Sequence, residues 1–191
     1  MCNNYRLRGA MQEIALAMGL PFEADITVPA DNIFPKRPAL VVRGDGGGRV
    51  AATMVWGFPP PANARGPVTN VRNLASPFWR SALGNPTRRC LIPASEFSEW
   101  EGEKGAKRQR WFGVPSLPVF ALAGLWRPGD GDAPPVFAML TCEPNPLVAA
   151  VHPKAMPVVL HPDDQGRWLG GDLAEATALA VAFPSQLMAM A

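Results

Sequence analysis

Residues that build metal sites and disulfide frameworks are scarce in this sequence of 191 residues. It holds two histidines and three cysteines, and no pair of cysteines has the C-x-x-C spacing. Structural zinc takes about four Cys, His or carboxylate ligands, and a disulfide framework needs an even set of cysteines. We therefore expect no metal, no other cofactor, and cysteines that stay reduced.

Long apolar runs are also missing. No stretch approaches the roughly 18 apolar residues that a membrane-spanning helix needs, and no charged segment precedes an apolar one near the start. Hydrophobic residues make up 48% of the chain and charged residues 18%, a balance typical of folded proteins. These features predict a soluble, cytoplasmic protein without a membrane partner, and we expect a monomer.

Acidic residues are absent from residues 46–95. Of the 18 basic residues in the whole chain, 14 are arginine, whose planar guanidinium suits phosphate oxygens. The acid-free stretch contains the arginines Arg49, Arg65, Arg72, Arg80, Arg88 and Arg89. It also contains aromatic residues that could stack on unpaired bases, namely Trp56, Phe58, Phe78 and Trp79. A merely solvated basic face above core aromatics is the alternative that charge alone favours.

Twenty-two prolines predict short elements joined by structured loops, because proline interrupts helices and central strands. Hydrophobic periodicity predicts a helix over 11–19, a hairpin from 39–43 and 49–56, and a loop rich in Pro and Gly over 57–67. Further strands are predicted over 90–92, 97–100, 110–114, 119–126, 136–142 and 156–160, and further helices over 163–169 and 173–182. Together they predict one α+β domain over residues 1–191, built around a curved, mostly antiparallel, barrel-like sheet with peripheral helices.

Cys2 has the most distinctive chemistry in the sequence. Its side chain is small enough for Met1 to be removed, which would leave an amine and a thiol on adjacent carbons. An α-amine titrates at about 7.7–8.0, so part of it is neutral at pH 7 and can add to an aldehyde as a Schiff base. The thiol can then close a five-membered thiazolidine ring. The alternative is a frayed chain end without a function.

Asn70 and Arg72 lie two residues apart in the segment T-N-V-R-N. Alternation in an extended segment sends both side chains to one face. There the Asn70 amide could hold a sugar hydroxyl or the terminal amine while Arg72 binds a phosphate. A surface turn is the alternative for this segment.

Glu99 and His152 are the candidates for proton transfer. Glu99 shares a strand face with Phe97, so it is either a solvent-exposed edge residue or a partly buried acid with a raised pKa. Glu96, on the opposite face, is the second choice. His152 titrates near neutrality and could protonate a sugar oxygen, although a lone histidine is often a structural hydrogen-bonding residue. His161 precedes a predicted helix, and we interpret it as a helix entry.

Five short motifs in this order resemble the SOS response-associated peptidase family, the SRAP domain of abasic-site-processing proteins. The resemblance spans nearly the whole chain, and its specificity lies in the ordered combination. The motifs are M-C at Met1 and Cys2, W-G at Trp56 and Gly57, N-V-R at Asn70 to Arg72, F-S-E-W at Phe97 to Trp100, and H-P-K-A-M-P at His152 to Pro157.

The resemblance implies a compact α+β fold with a positively charged groove for single-stranded DNA. It also implies loss of Met1 and a covalent crosslink between Cys2 and the ring-opened aldehyde of an abasic site. By position it assigns Cys2 as the nucleophile, Asn70 to positioning, Glu99 as acid and base, and His152 to ring opening and reversal. The DNA contacts expected are Arg72, with Trp56, Arg80 and Arg6 as further candidates.

The sequence departs from the family pattern in three places. Asn3 and Asn4 follow Cys2 where M-C-G-R is common, and Arg6 is a candidate substitute for the lost arginine. The usual H-D-R-M-P is one residue longer here and lacks its acid, and Glu96 stands where glycine is frequent. These departures indicate a divergent subgroup.

Three functions are consistent with these residues. The first is an enzyme that crosslinks to abasic sites in single-stranded DNA, located at the nucleoid when bound. The second is a hydrolase in which Cys2 attacks amides, including the bond to Met1, for which the sequence shows no clear oxyanion hole or base. The third is a non-catalytic single-strand binding module.

Overall fold

The computed structural model describes residues 2–61, 65–103 and 105–191. The expected removal of Met1 and the middle of the predicted loop over 57–67 lie outside the described residues. The strands are β1 (Tyr5–Arg6), β2 (Asn32–Ile33), β3 (Pro38–Asp45), β4 (Gly48–Trp56), β5 (Asn70–Val71), β6 (Arg89–Ala94), β7 (Glu96–Glu101), β8 (Arg108–Gly113), β9 (Phe120–Arg127), β10 (Val136–Cys142), β11 (Met156–Pro157), β12 (Val159–Leu160) and β13 (Ala189–Met190). The α-helices are α1 (Met11–Met18), α2 (Pro77–Leu83), α3 (Pro146–Ala149), α4 (Gln165–Gly170) and α5 (Leu173–Ala178).

Strands β4, β3, β6, β9 and β10 form a closed ring, because β10 pairs with β9 and also returns to β4. The pairing of β10 with β4 is parallel, and the other four pairings in the ring are antiparallel. Strands β6 and β10 are apolar along nearly their whole length and almost entirely buried, as expected for strands covered on both faces. The predicted curved, mostly antiparallel, barrel-like sheet is confirmed.

A second sheet, in the order β13-β8-β7-β1-β2, continues from the ring through β7. The short N-terminal strand β1 lies antiparallel to β7, with Tyr5 opposite Phe97. Beyond β1, the Ser98 amide donates to the Asn4 carbonyl at 3.0 Å. This pairing carries the start of the chain along the strand that contains Glu99.

Strand β5 continues the line of β4 beside β10. Residues 136 and 137 of β10 pair with the end of β4, and residues 139 and 140 pair with Asn70 and Val71. The chain therefore leaves the barrel at Gly57 and rejoins it at Thr69. Gly57 has φ of +128°, and a Cβ there would lie 2.7 Å from Pro67, so glycine is required at this exit. The register places Asn70 on the barrel wall.

The helices match the sequence predictions in part. Helix α1 is confirmed, and His161 directly precedes the 3-10 helix Pro162–Asp164 that leads into α4. The helix predicted over 173–182 is too long, because α5 ends at Ala178 and the following residues extend to bury Phe183. Helices α2 and α3 were not predicted, although each begins with a capping Ser or Asn followed by Pro, a recognised start signal. None of the described helices has the length and apolar character to cross a membrane.

Candidate functional site

The structure brings Cys2 and Asn70 into direct contact. The Asn70 Nδ2 donates to the Cys2 carbonyl oxygen at 3.1 Å, although 68 positions separate the two residues. The Cys2 thiol is buried and donates to the Asn4 carbonyl at 3.3 Å. Residue 2 is thus an enclosed part of the fold and not a frayed end.

The Asn70 side chain still has an acceptor to offer. Its Nδ2 also donates to the Thr69 hydroxyl at 2.8 Å, so the amide orientation is determined by two bonds. Its Oδ1 is buried and has no hydrogen-bond partner among the residues that the structure describes. A buried acceptor without a partner is costly, and an ammonium or hydroxyl group beside residue 2 would satisfy it.

Glu99 is a buried acid, with 3% of its side chain exposed. Burial raises its pKa to about 7, because loss of water disfavours the charged carboxylate. Its Oε2 lies 3.8 Å from the His152 Nδ1. Of the two alternatives for Glu99, the structure shows the buried acid and not the solvent-exposed edge residue.

The surroundings of His152 favour its neutral form. Its pKa is lowered first by burial and then by nearby positive charges, which include those of Lys154 and Lys107. A neutral imidazole beside an acid with a pKa of about 7 forms a pair that can both donate and accept a proton near neutral pH.

The Cys2 thiol has a raised pKa, whereas an activated nucleophilic thiol has a lowered one. Burial, and to a smaller extent the negative charge of Glu99, raise the pKa of Cys2 to about 12. Cysteines that attack amides have a lowered pKa, because the thiolate is the nucleophile. The sulfur of Cys2 is therefore protonated at neutral pH.

Helix α3 positions His152, and sequence reasoning missed the residue that anchors it. The His152 amide donates to the Val148 carbonyl at 2.8 Å, just beyond the end of α3. The buried Asn145 caps this helix through Oδ1, 3.0 Å from the Val148 amide, and its Nδ2 donates to the Phe183 carbonyl at 2.7 Å. The signal for Asn145 was present in the sequence as N-P, a helix cap followed by proline.

The predicted DNA contacts have different surroundings. Arg72 is 37% exposed and forms an ion pair with Glu143. Arg80 is exposed on α2 and borders a cleft with Leu74. Arg6 is bound to Glu96 and Asn32 and lies 3.4 Å over the Trp111 ring, and its role as a DNA contact stays a prediction.

The structure does not agree with the prediction that Trp56 contacts DNA. It is fully buried, its Nε1 donates to the Thr69 carbonyl at 2.9 Å, and its ring packs on Tyr5 and Phe137. Phe58 and Trp79 are buried as well, whereas Phe78 is partly exposed. Trp56 therefore cannot stack on a base; it joins β4 to the segment that carries Asn70.

Two lysines near the site went unnoticed in the sequence. Lys107 and Lys154 are exposed, and both act electrostatically on His152 from different parts of the chain. Lys107 directly precedes β8, which pairs with the strand of Glu99, and Lys154 follows His152 by two residues. Within the described ranges no cluster of three or more His, Cys, Asp or Glu could hold a metal ion.

Fold and site together define an α+β barrel protein whose second residue, a cysteine, contacts the Asn70 amide and is influenced electrostatically by a buried carboxyl group that is paired with an imidazole. The chain belongs to the SOS response associated peptidase (SRAP) family, whose sequence model matches residues 1–191.

Two similar proteins are named "Abasic site processing protein YoqW", from Bacillus subtilis (strain 168) and from Bacillus phage SPbeta. Each is 28% identical over 156 residues, which is 74% of this chain, and the match spans 66% of the length of these relatives. A solved structure of a Bordetella bronchiseptica protein matches with a TM-score of 0.83 at 22% identity, over 100% of this chain and 98% of that one. A Bacteroides thetaiotaomicron protein matches with a TM-score of 0.81 at 18% identity, over 99% and 90%. These two structures support the fold.

Proposed function

We propose that this protein captures abasic sites in single-stranded DNA by forming a thiazolidine between Cys2 and the sugar aldehyde, after loss of Met1. The contact of residue 2 with Asn70, beside Glu99 and His152, is the observation that carries the proposal. The names of the similar proteins, which refer to abasic site processing, support the same class of substrate. A nucleotide that lacks its base in a single strand needs no extrusion from a duplex stack. DNA as substrate would place the protein at the nucleoid.

The covalent steps need no external oxidant or reductant. The neutral amine of Cys2 adds to the C1′ aldehyde, and loss of water from the carbinolamine gives an imine. The thiol sulfur then bonds to the carbon of the protonated imine, whose nitrogen keeps its hydrogen, while the thiol proton passes to a carboxylate. The product is a ring that contains both the sulfur and the nitrogen.

The groups around residue 2 have suitable protonation states for these steps. Neutral His152 accepts the proton of the anomeric hydroxyl and returns it to the ring oxygen, which opens the sugar. Protonated Glu99 donates to the departing hydroxyl of the carbinolamine, and its carboxylate then receives the thiol proton. The Oδ1 of Asn70, which has no hydrogen-bond partner within the described ranges, holds the amine or a sugar hydroxyl.

The raised pKa of the Cys2 thiol sets the order of events. An α-amine titrates at about 7.7–8.0, far below the pKa of about 12 of this buried thiol. The amine therefore reacts first, and the sulfur reacts once the imine has formed. The same raised pKa disfavours the alternative of a peptidase that attacks amides through a thiolate.

Incubation with single-stranded DNA that carries one abasic site tests the proposal. We expect a heat-stable band of reduced mobility with the wild-type protein and none with Cys2→Ala. Cys142→Ala is the matched control, because Cys142 is also a buried free thiol. Equal crosslinking by wild type and Cys2→Ala would falsify the covalent mechanism. Salt-dependent binding that ignores the lesion would favour a non-catalytic binding module instead.

A further inference from the structure

The cation predicted to bind a DNA phosphate already has an anion beside it. The Arg72 Nη2 is hydrogen-bonded to the Glu143 Oε1. Glu143 is 81% exposed and Arg72 is 37% exposed, so both groups are accessible from the surface. The Arg72–Glu143 pair therefore lies at the surface and not in the hydrophobic core.

The position of this pair follows from the barrel register. Parallel pairing places Asn70 opposite Met139 and Val71 opposite Leu140. The Thr141 hydroxyl reaches the Val71 carbonyl at 3.4 Å, which extends the alignment toward the end of β10. Glu143 therefore meets Arg72 two residues from Asn70, the residue that contacts Cys2. The carboxylate therefore lies on the guanidinium that the sequence predicts to bind a phosphate.

Arg72 and Glu143 border an open cleft of about 320 Å³. Leu74 lines this cleft and also the neighbouring one, which is bordered by Arg80. The surface next to Arg72 thus continues past Leu74 to a second arginine. A strand of DNA that follows this surface passes both guanidinium groups.

We propose that Glu143 occupies, as a carboxylate, the site in which Arg72 binds a DNA phosphodiester, and that strand binding exchanges one anion for the other. This inference rests on the proposed function. Carboxylate and phosphate both match the donor geometry of a guanidinium, and an exposed ion pair has little net stability, so the exchange is easy. Glu143 thereby weakens binding to undamaged strands, whereas an abasic strand is retained by its bond to Cys2.

The test is the affinity of Glu143→Gln for an undamaged single-stranded oligonucleotide, measured by fluorescence anisotropy over a range of salt concentrations. We expect binding about threefold tighter at low salt, since Arg72 no longer has to give up a partner. The salt dependence should steepen by up to about 0.7 in log–log slope, because in the wild type the cation released from the phosphate is offset by the cation that the displaced Glu143 carboxylate takes up. In an Arg72→Gln background the substitution should have no effect.

Asp45→Asn is the matched control. Asp45 forms an exposed ion pair with Arg43 at 3.7 Å, at the far end of the β3–β4 hairpin from Trp56. The Asp45→Asn substitution also removes one negative charge, and we expect the affinity for the undamaged oligonucleotide to stay unchanged. Equal tightening by Asp45→Asn, persistence of the gain without Arg72, or no gain at all would each overturn the inference.

Crosslinking to abasic DNA by the same variants separates this inference from the proposed function. A Glu143 effect that depends on Arg72, without any crosslink at Cys2, would support the phosphate site and contradict the covalent mechanism. A crosslink at Cys2 without a Glu143 effect would leave the proposed function standing and contradict the phosphate site alone.

Discussion

Glu99 is an acidic residue whose environment differs strongly from that of the free side chain. It lies in the middle of β7, and only 3% of its side chain is exposed. Desolvation raises its pKa to about 7, so both protonation states are populated at physiological pH. Near that pH a carboxyl group can act as acid in one step and as base in the next.

Replacement of Glu99 by Gln should slow crosslinking on the order of a hundredfold, the lower range for loss of a general acid or base. The wild-type rate should fall above about pH 7, where Glu99 loses its proton. Glu99→Gln should lack this falling limb. Initial crosslinking rates from pH 5 to 9 measure both effects, and an unchanged pH profile in the variant would contradict the assignment.

Glu99→Gln should also change how the free energy of unfolding depends on pH. The folded-state pKa of Glu99 is about 7, above its ordinary value of 4.5, so the folded protein binds the proton more tightly than the unfolded chain. The stabilising effect of this proton is complete below the ordinary value and is lost as the pH rises through about 7. Denaturant unfolding should show that Glu99→Gln gains stability relative to wild type over this window.

Among the elements, the short helix α3 connects the barrel to the site. It has only four residues, too few to be stable alone. The Asn145 side chain accepts a hydrogen bond from the Val148 amide in this helix and donates one to the Phe183 carbonyl outside it. His152 follows directly from its last turn. The position of the His152 imidazole therefore depends on the Asn145 cap, which lies outside the five motifs that resemble the family.

Asn145→Ala should lower the free energy of unfolding by about 1–3 kcal/mol, because it removes a cap and a buried hydrogen bond. It should also slow crosslinking through displacement of His152. The matched control is Asn85→Ala, which removes a similar cap from the exposed 3-10 helix Pro86–Arg88. Denaturant melts and crosslinking rates report the two effects. Equal losses in both variants would show that Asn145 has no special link to the site.

At the scale of the whole molecule, closure of the barrel joins parts of the chain that are far apart. The parallel contact between β4 and β10 completes the ring, and β5 continues it to Asn70. Trp56 lies at the junction, where it bonds to Thr69 and packs on Tyr5 of the second sheet. One buried ring thus touches the barrel, the Asn70 segment and the N-terminal strand.

Trp56→Ala should therefore cost about 3–5 kcal/mol of stability, as expected for loss of a large buried aromatic side chain. Trp100→Ala is the control, because Trp100 is 42% exposed and its loss should change stability much less. Thermal and denaturant melts of the two variants provide the comparison. A similar, small loss for both would mean that Trp56 does not support the junction.

Composition, periodicity and ordered motifs were sufficient for several conclusions about this protein. They predicted the fold class, helix α1, the long hairpin, and four candidate site residues, among which the structure pairs Asn70 with Cys2 and His152 with Glu99. These signals are local, because side-chain alternation, turn residues and short motifs depend on neighbours in the sequence. The chemical roles of the four residues stay predictions that the experiments above address.

Only the tertiary structure decided which side chains are covered and which charges are paired. Trp56 is buried by residues from three distant segments, Arg72 meets Glu143 across a parallel register, and α5 stops early so that Phe183 can be buried. The raised pKa of Glu99 likewise comes from desolvation by the whole fold. Burial and ion pairing depend on contacts between residues far apart in the sequence, and a pattern read along one chain segment contains no information about them.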